Sequence, residues 1–204
     1  MIGLGAWARS GAGLLGLFCL VVGPAAWAQS GGAPCATKGT QFTFSEGTNL
    51  EAVGAGSGAI CRFRNVRTNL EFERLFGAFD PRSKLVKANL ELFQSLAPLR
   101  VGQKVSFSNS GGSDRGQDGI WFYDVIVERS EQVQTPAGTF ASFVILYDEQ
   151  SPVTTKGLWQ RRYWYAPQVG YAVKFEYQAI RGNPPQNYPK DWMLTGLKTV
   201  AAAR

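Results

Sequence analysis

From Val101 onward, apolar and polar residues alternate along the chain with the period of two that is typical of β-strands. Segments 120–129, 139–147, 158–166 and 171–178 all show this alternation. Tight-turn sequences, Thr135-Pro136-Ala137-Gly138 and Pro167-Gln168-Val169-Gly170, join two pairs of these segments. Short strands joined by such turns predict an antiparallel up-and-down meander.

Several of these segments carry apolar side chains on both faces, so the predicted sheet must be covered on both sides. In segment 120–129, one face holds Trp121, Tyr123, Val125 and Val127, and the other holds Ile120, Phe122 and Ile126. We therefore expect a mainly β domain in which the antiparallel meander forms a curled sheet, half-barrel or barrel, or folds over as two sheets, with one short helix.

The first half of the domain gives weaker signals. Segments 41–45 and 60–63 predict two short strands, and 192–200 predicts a closing strand at the other end of the domain. Asp80-Pro81 is a helix-start signal, and apolar residues follow at helical spacing until Pro98, so one helix is expected over 80–96. Strand alternation at Leu90 and Leu92 is the alternative. Phe72, Leu75, Phe76 and Phe79 fit either a short helix or a buried loop.

The N-terminus has the pattern of a secretory signal. Arg9 precedes an apolar run, and Ala26-Trp27-Ala28 is a small-x-small site that predicts cleavage between Ala28 and Gln29. An uncleaved anchor is the alternative. The expected organisation is a signal peptide at 1–28, a flexible leader at 29–40 and a single β-rich domain at 41–200. The mature protein is expected to be periplasmic or secreted, with no integral membrane segment.

Two cysteines, Cys35 and Cys61, remain after cleavage. In an oxidising compartment an even count predicts a disulfide, which would tie the N-terminal segment to a strand. A reactive thiol pair is the alternative, but the spacing of the two residues matches no redox or metal motif.

Charge and composition exclude several classes of chemistry. The net charge is +6, and removal of the signal takes away one arginine and no acid, which leaves a mildly basic chain without a run of five basic residues. Nucleic acid is therefore not indicated as a partner. The chain has no histidine, which removes Ser–His and Cys–His nucleophiles and histidine zinc sites. We expect no cofactor and no metal. Calcium at Asn109, Asp114 and Asp118 is the weaker alternative to a plain solvated loop.

The most distinctive stretch is 157–166, which places Trp159, Arg161, Tyr163 and Tyr165 on one side of a strand. Tyrosine and tryptophan combine an apolar body with a hydrogen-bonding tip, and arginine stacks on either ring. This face is our candidate binding site for a glycan, a lipid or a peptide. The alternative is that the rings form the edge of the core, with an arginine stacked over them.

Residues 133–140 (VQTPAGTF) and 162–174 (RYWYAPQVGYAVK), preceded by 99–103 (LRVGQ), resemble the signature of the DUF3108-like/TapB-like group of bacterial envelope proteins. The resemblance covers about residues 96–177. It implies an antiparallel β fold in the periplasm and no particular activity, so it assigns no catalytic residue.

Three functional hypotheses follow. The first is a non-catalytic domain that binds an apolar, amphipathic or glycan-type partner, or supports a cell-envelope complex, through the candidate face. The second is a carboxylate-dependent enzyme acting on cell-wall or glycan material, which needs Glu128 and Asp148, or Glu176, in one cleft. The third is a structural scaffold held near anionic surfaces by its basic charge. The oligomeric state is left open.

Overall fold

The computed structural model describes residues 35–110, 119–153, 157–182 and 188–200. The predicted signal peptide, its cleavage site, and Asp114 and Asp118 of the calcium hypothesis lie outside these residues. In the described part of the chain, neither helix has the length and apolar character needed to cross a bilayer.

Within these described residues, ten antiparallel strands form one sheet. Neighbouring strands in the sheet are also neighbours along the chain, except that β10 lies beside β1. The elements are β1 (Gln41–Phe44), β2 (Asn49–Ala55), β3 (Ile60–Asn65), β4 (Glu71–Leu75), α1 (Lys84–Ala88), α2 (Leu90–Gln94), β5 (Lys104–Asn109), β6 (Trp121–Thr135), β7 (Gly138–Gln150), β8 (Leu158–Ala166), β9 (Tyr171–Arg181) and β10 (Trp192–Lys198). The spatial order is β4-β3-β2-β1-β10-β9-β8-β7-β6-β5. The predicted antiparallel meander is confirmed, and the sheet is not closed into a barrel.

The first core lies on the inner face of β5–β8, which α1, α2 and the residues after β4 cover. On β6, Trp121, Tyr123, Val125 and Val127 are all buried on this face, as their alternation predicted. Phe93 of α2 packs on Phe107 of β5, with ring centroids 5.7 Å apart. Burial of these rings is what holds two five-residue helices in place, because helices this short are unstable alone.

The second core forms where the sheet turns at β10. This strand pairs with β9 only at Trp192↔Phe175 and Met193↔Lys174, and then continues along β1. As a result, the inner faces of β1–β3 pack on the start of β9, where Phe63 meets Tyr171 edge to face at 4.7 Å.

The single helix expected over 80–96 is broken into α1 and α2. The N-cap of α1 is Ser83 rather than the expected Asp80. The Oγ of Ser83 accepts a hydrogen bond from the backbone N–H of Val86. The break lies at Asn89, whose side-chain amide donates to the Leu85 carbonyl while its own N–H bonds Val86. The side chain takes the acceptor that the next helical turn would use, which is a known effect of asparagine within helices.

Residues 72–79, for which we expected either a short helix or a buried loop, form a strand followed by a buried turn. The stretch begins as strand β4, where Phe72 pairs with Phe63 of β3, and ends as a buried turn in which Phe76 and Gly77 have positive φ angles of 52° and 63°. Strand β2 was not predicted, because its residues Gly54 and Ala55 are poor strand formers.

A disulfide joins Cys35 to Cys61 with a Cα–Cα distance of 5.3 Å, which confirms the predicted pairing. The backbone N–H of Gly39 donates to the Ala52 carbonyl at 2.8 Å. The bridge and this bond hold residues 35–40 against β2 and β3.

Candidate functional site

Three of the four residues of the candidate face lie in the first core. Trp159 is 1% exposed and stacks on Trp121 with centroids 5.0 Å apart. Tyr165 is 4% exposed and packs on Phe76. Burial raises the pKa of Tyr165 to about 12, so its hydroxyl stays protonated. These two rings fill the core and present no surface to a ligand.

The third residue, Arg161, forms a buried ion pair. Its Nη2 donates to Oε2 of Glu149 at 2.7 Å, and the two side chains are 8% and 0% exposed. The guanidinium lies 5.0 Å from the ring centroid of Tyr147, and the Tyr123 hydroxyl donates to the other Glu149 oxygen at 3.4 Å. Such hydrogen bonds are needed for a charge pair to be tolerated in an apolar core.

The fourth residue, Tyr163, occupies a different position. It is half-buried, packs on Phe79 at 5.2 Å and on Phe175 at 5.0 Å, and lines an open cleft of about 360 Å³. We call this the aromatic cleft. Its lining comprises Phe44, Glu46, Thr48, Leu50, Asn65, Phe72, Arg74, Gly77, Ala78, Tyr163, Tyr171, Phe175, Pro189 and Trp192.

The cleft exists because the sheet divides at β10. Strand β10 pairs with β9 at only two residue pairs before it continues along β1, and the cleft lies there between residues of β1–β4 and residues of β8 and β9. Trp192 lies at the point of division, edge to face with Phe44 at 5.0 Å and stacked on Phe175 at 5.7 Å. The rings of Phe72, Tyr163 and Trp192 are only half-buried there.

Arg74 supplies a positive charge to the cleft but is already engaged. Its Nη1 lies 3.3 Å from Oδ2 of Asp80 and donates to the Glu73 carbonyl at 2.8 Å. Its guanidinium also covers the face of Phe72, 4.7 Å from the ring centroid. These contacts fix the orientation of the side chain within the wall of the cleft.

Tyr171 lies at the floor of the cleft. Burial raises its pKa to about 12, with the negative charge of Glu46 acting in the same direction, whereas the charge and hydrogen bond of Arg74 act against it. The hydroxyl is therefore protonated at every physiological pH.

A close backbone approach forms the wall that carries Gly77 and Ala78. A Cβ atom on Gly77 would lie 2.5 Å from both the Ala172 nitrogen and the Tyr171 Cα. Only glycine fits this position, because the neighbouring atoms are backbone and φ is positive. The turn after β4 is thereby seated directly on β9.

The carboxylates of the enzyme hypothesis lie on the outer face of the sheet, which alternation places opposite the cleft. Glu128 pairs with Arg162 at 3.0 Å, and Glu176 pairs with Lys174 at 2.7 Å. Asp148 faces Asp124 across β6 and β7. None of the three lines the aromatic cleft.

Asp148 carries an unfavourable charge. Burial and the negative charge of Asp124 raise its pKa and outweigh a hydrogen bond with Gln160 and the positive charges of Arg162 and Lys104, which act against them. Its Oδ1 is buried without a hydrogen-bond partner among the described residues. A raised folded-state pKa means that the folded protein binds the proton more tightly than the unfolded chain does. The ionised carboxylate therefore lowers the free energy of unfolding above that pKa, and this loss disappears as the pH falls through the pKa. We expect Asp148→Asn to raise the thermal unfolding midpoint at neutral pH, and the gain to vanish in acid.

The control for this prediction is Asp124→Asn. Burial opposes ionisation of Asp124, but hydrogen bonds from Lys104 and Ser106 outweigh it and lower its pKa. This substitution is expected to lower the midpoint at neutral pH. Differential scanning calorimetry across pH checks both signs, and a loss of stability in Asp148→Asn at neutral pH would contradict the argument.

No group of three or more His, Cys, Asp or Glu side chains arranged to hold a metal ion occurs within residues 35–110, 119–153, 157–182 and 188–200. Asn109 of the calcium hypothesis ends β5.

Comparison with known families identifies a partial match. The DUF3108-like family model matches residues 103–182, which confirms the predicted resemblance over β5–β9. Tyr163, Tyr171 and Phe175 of the cleft fall within the match, whereas the lining from β1–β4 and β10 falls outside it. No curated protein matches the chain.

Two solved structures are similar to the chain. One is a "putative lipoprotein" of Parabacteroides distasonis, 16% identical, covering 82% of this chain and 99% of its own, with a TM-score of 0.36. The other is a "putative exported protein with YmcC-like fold" of Bacteroides fragilis, 16% identical, covering 81% and 98%, with a TM-score of 0.35.

Proposed function

We propose that this chain is an exported, non-catalytic cell-envelope protein that binds an amphipathic ligand in the aromatic cleft. The export part rests on the N-terminal signal pattern and on the Cys35–Cys61 disulfide, since structural disulfides persist in oxidising compartments.

The observation that carries the binding part is the set of half-buried rings at the division of the sheet. Phe72, Tyr163 and Trp192 keep part of their surface open to the cleft, above buried Phe44 and Phe175. A concave site lined by aromatic side chains with a few polar groups is the usual form of a small-ligand site. Removal of this apolar surface from water would drive binding.

The polar lining supports binding without catalysis. Glu46 is the only carboxylate among the described lining residues, and Arg74 is held by Asp80 and the Glu73 carbonyl. A general acid–base pair needs two suitably placed titratable groups. The acidic residues of the enzyme hypothesis lie on the other face of the sheet.

We expect Trp192→Ala to weaken binding of a neutral hydrophobic fluorophore, N-phenyl-1-naphthylamine, by about tenfold, because one wall of the cleft loses its largest ring. Fluorescence titration of the purified mature protein measures this. Phe122→Ala is the matched control, since Phe122 is an aromatic residue 50% exposed on the outer face.

A second variant protects the test against misfolding of Trp192→Ala. Ala78→Phe fills the cleft without removing any core contact and is also expected to weaken binding. If both variants bind the fluorophore as tightly as the parent and the Phe122→Ala control, the proposed site is wrong.

A further inference from the structure

We infer that the ligand of the aromatic cleft is a neutral glycan, taken as one or a few sugar rings, rather than an acyl chain or a peptide. This inference rests on the proposed function of the cleft and specifies its ligand class.

The first step is the kind of apolar surface in the cleft. Six lining residues are aromatic, whereas the aliphatic ones are only Leu50, Ala78 and Pro189. Flat rings match the flat C–H face of a pyranose. An acyl chain gains most when apolar atoms surround it, and an open cleft would leave one side of the chain in water.

The second step is the chemistry of the polar lining. Glu46 offers acceptors only, Arg74 offers donors only, and Thr48 and Tyr171 offer both. Asn65 offers its amide N–H donors, because its Oδ1 already accepts from the backbone N–H groups of Arg67 and Thr68. Sugar hydroxyls both donate and accept, so a mixed set of this kind can satisfy them around an aromatic floor. An acyl chain has no use for these groups beyond its head.

The third step is charge. Among the described lining residues, Arg74 is the one cation and Glu46 is the one anion. Because Arg74 is already paired with Asp80 at 3.3 Å, the cleft offers no surplus positive charge to a phosphate or carboxylate. The balance of charges therefore favours a neutral ligand over an anionic lipid or an acidic polymer.

The test titrates the purified mature protein with cellotriose, chitotriose and maltotriose by isothermal calorimetry, and with laurate and a proline-rich peptide in parallel. We expect at least one trisaccharide to bind and to displace the fluorophore. Glu46→Gln is expected to weaken that binding by about tenfold, because it replaces a charged acceptor. Glu71→Gln, on an exposed residue outside the cleft, is expected to leave it unchanged.

The outcomes separate the two claims. If no trisaccharide binds while laurate or the peptide displaces the fluorophore, the glycan assignment is overturned and the cleft remains a binding site. If sugars bind equally to the parent and to Ala78→Phe, sugar binding occurs elsewhere and the assignment is also overturned. If Trp192→Ala and Ala78→Phe both leave binding of the fluorophore unchanged, the proposed function of the cleft is itself wrong.

Discussion

Replacement of Glu149 by alanine is expected to lower the free energy of unfolding by about 3–5 kcal/mol, because it leaves the Arg161 guanidinium buried without its counter-ion. The pair is almost completely enclosed, with side-chain exposures of 8% and 0%, so water cannot take the place of the lost carboxylate. Urea unfolding of the purified protein measures the loss as a change of midpoint at constant slope.

The control is an ion pair of similar length on the outer face of the same sheet. Glu128 and Arg162 lie 3.0 Å apart but are 22% and 23% exposed, so Glu128→Ala is expected to cost about 0–1 kcal/mol. Glu149→Leu combined with Arg161→Met should regain most of the stability, because an apolar pair needs no counter-ion. Equal losses for Glu149→Ala and Glu128→Ala would contradict this account.

The position of this pair shows what alternation can and cannot predict. The period of two places Arg161 on the same side of β8 as Trp159, Tyr163 and Tyr165, and the structure keeps them on one face. Which face a distant segment covers is set by tertiary packing. Here the covering residues come from 75–96, far from β8 in the chain, so a face that resembled a binding surface is mostly core.

The strands after Val101 were predictable because hairpins pair neighbours in sequence and each tight turn sets the register. The hairpin of β6 and β7 meets at Thr135↔Gly138, directly around the Pro136-Ala137 turn recognised in the sequence. The paired cysteines were likewise predictable, since only one intramolecular pairing is possible.

The aromatic cleft was not predictable in the same way. Its walls come from β1–β4, the turns after β1 and β4, β8, β9 and β10, and they meet because β10 leaves β9 after two residue pairs. No local pattern encodes where a strand changes partner. The nearest signal is Pro189, which lacks a backbone donor and lies three residues before Trp192, the residue at the point of division.

Replacement of both Cys35 and Cys61 by alanine is expected to lower the free energy of unfolding by about 3 kcal/mol. The bridge closes a sequence separation of 26 residues, so its loss frees a loop of this length in the unfolded state. Alanine is preferred to serine because Cys61 is 1% exposed and a hydroxyl there would need a partner. Urea unfolding with and without a thiol reductant measures the effect, and the reduced parent should match the double variant.

The reductant should not change the urea unfolding midpoint of the double variant, which has no disulfide to reduce. If the reductant also fails to lower the midpoint of the parent, the prediction is wrong. The bridge lies outside the lining of the aromatic cleft, and in the chain-entropy account most of its effect is on the unfolded chain. The variant should therefore bind the fluorophore as tightly as the parent while unfolding at lower urea. Because Trp192→Ala is expected to weaken binding directly, the two variants together separate the stability of the sheet from the chemistry of the cleft.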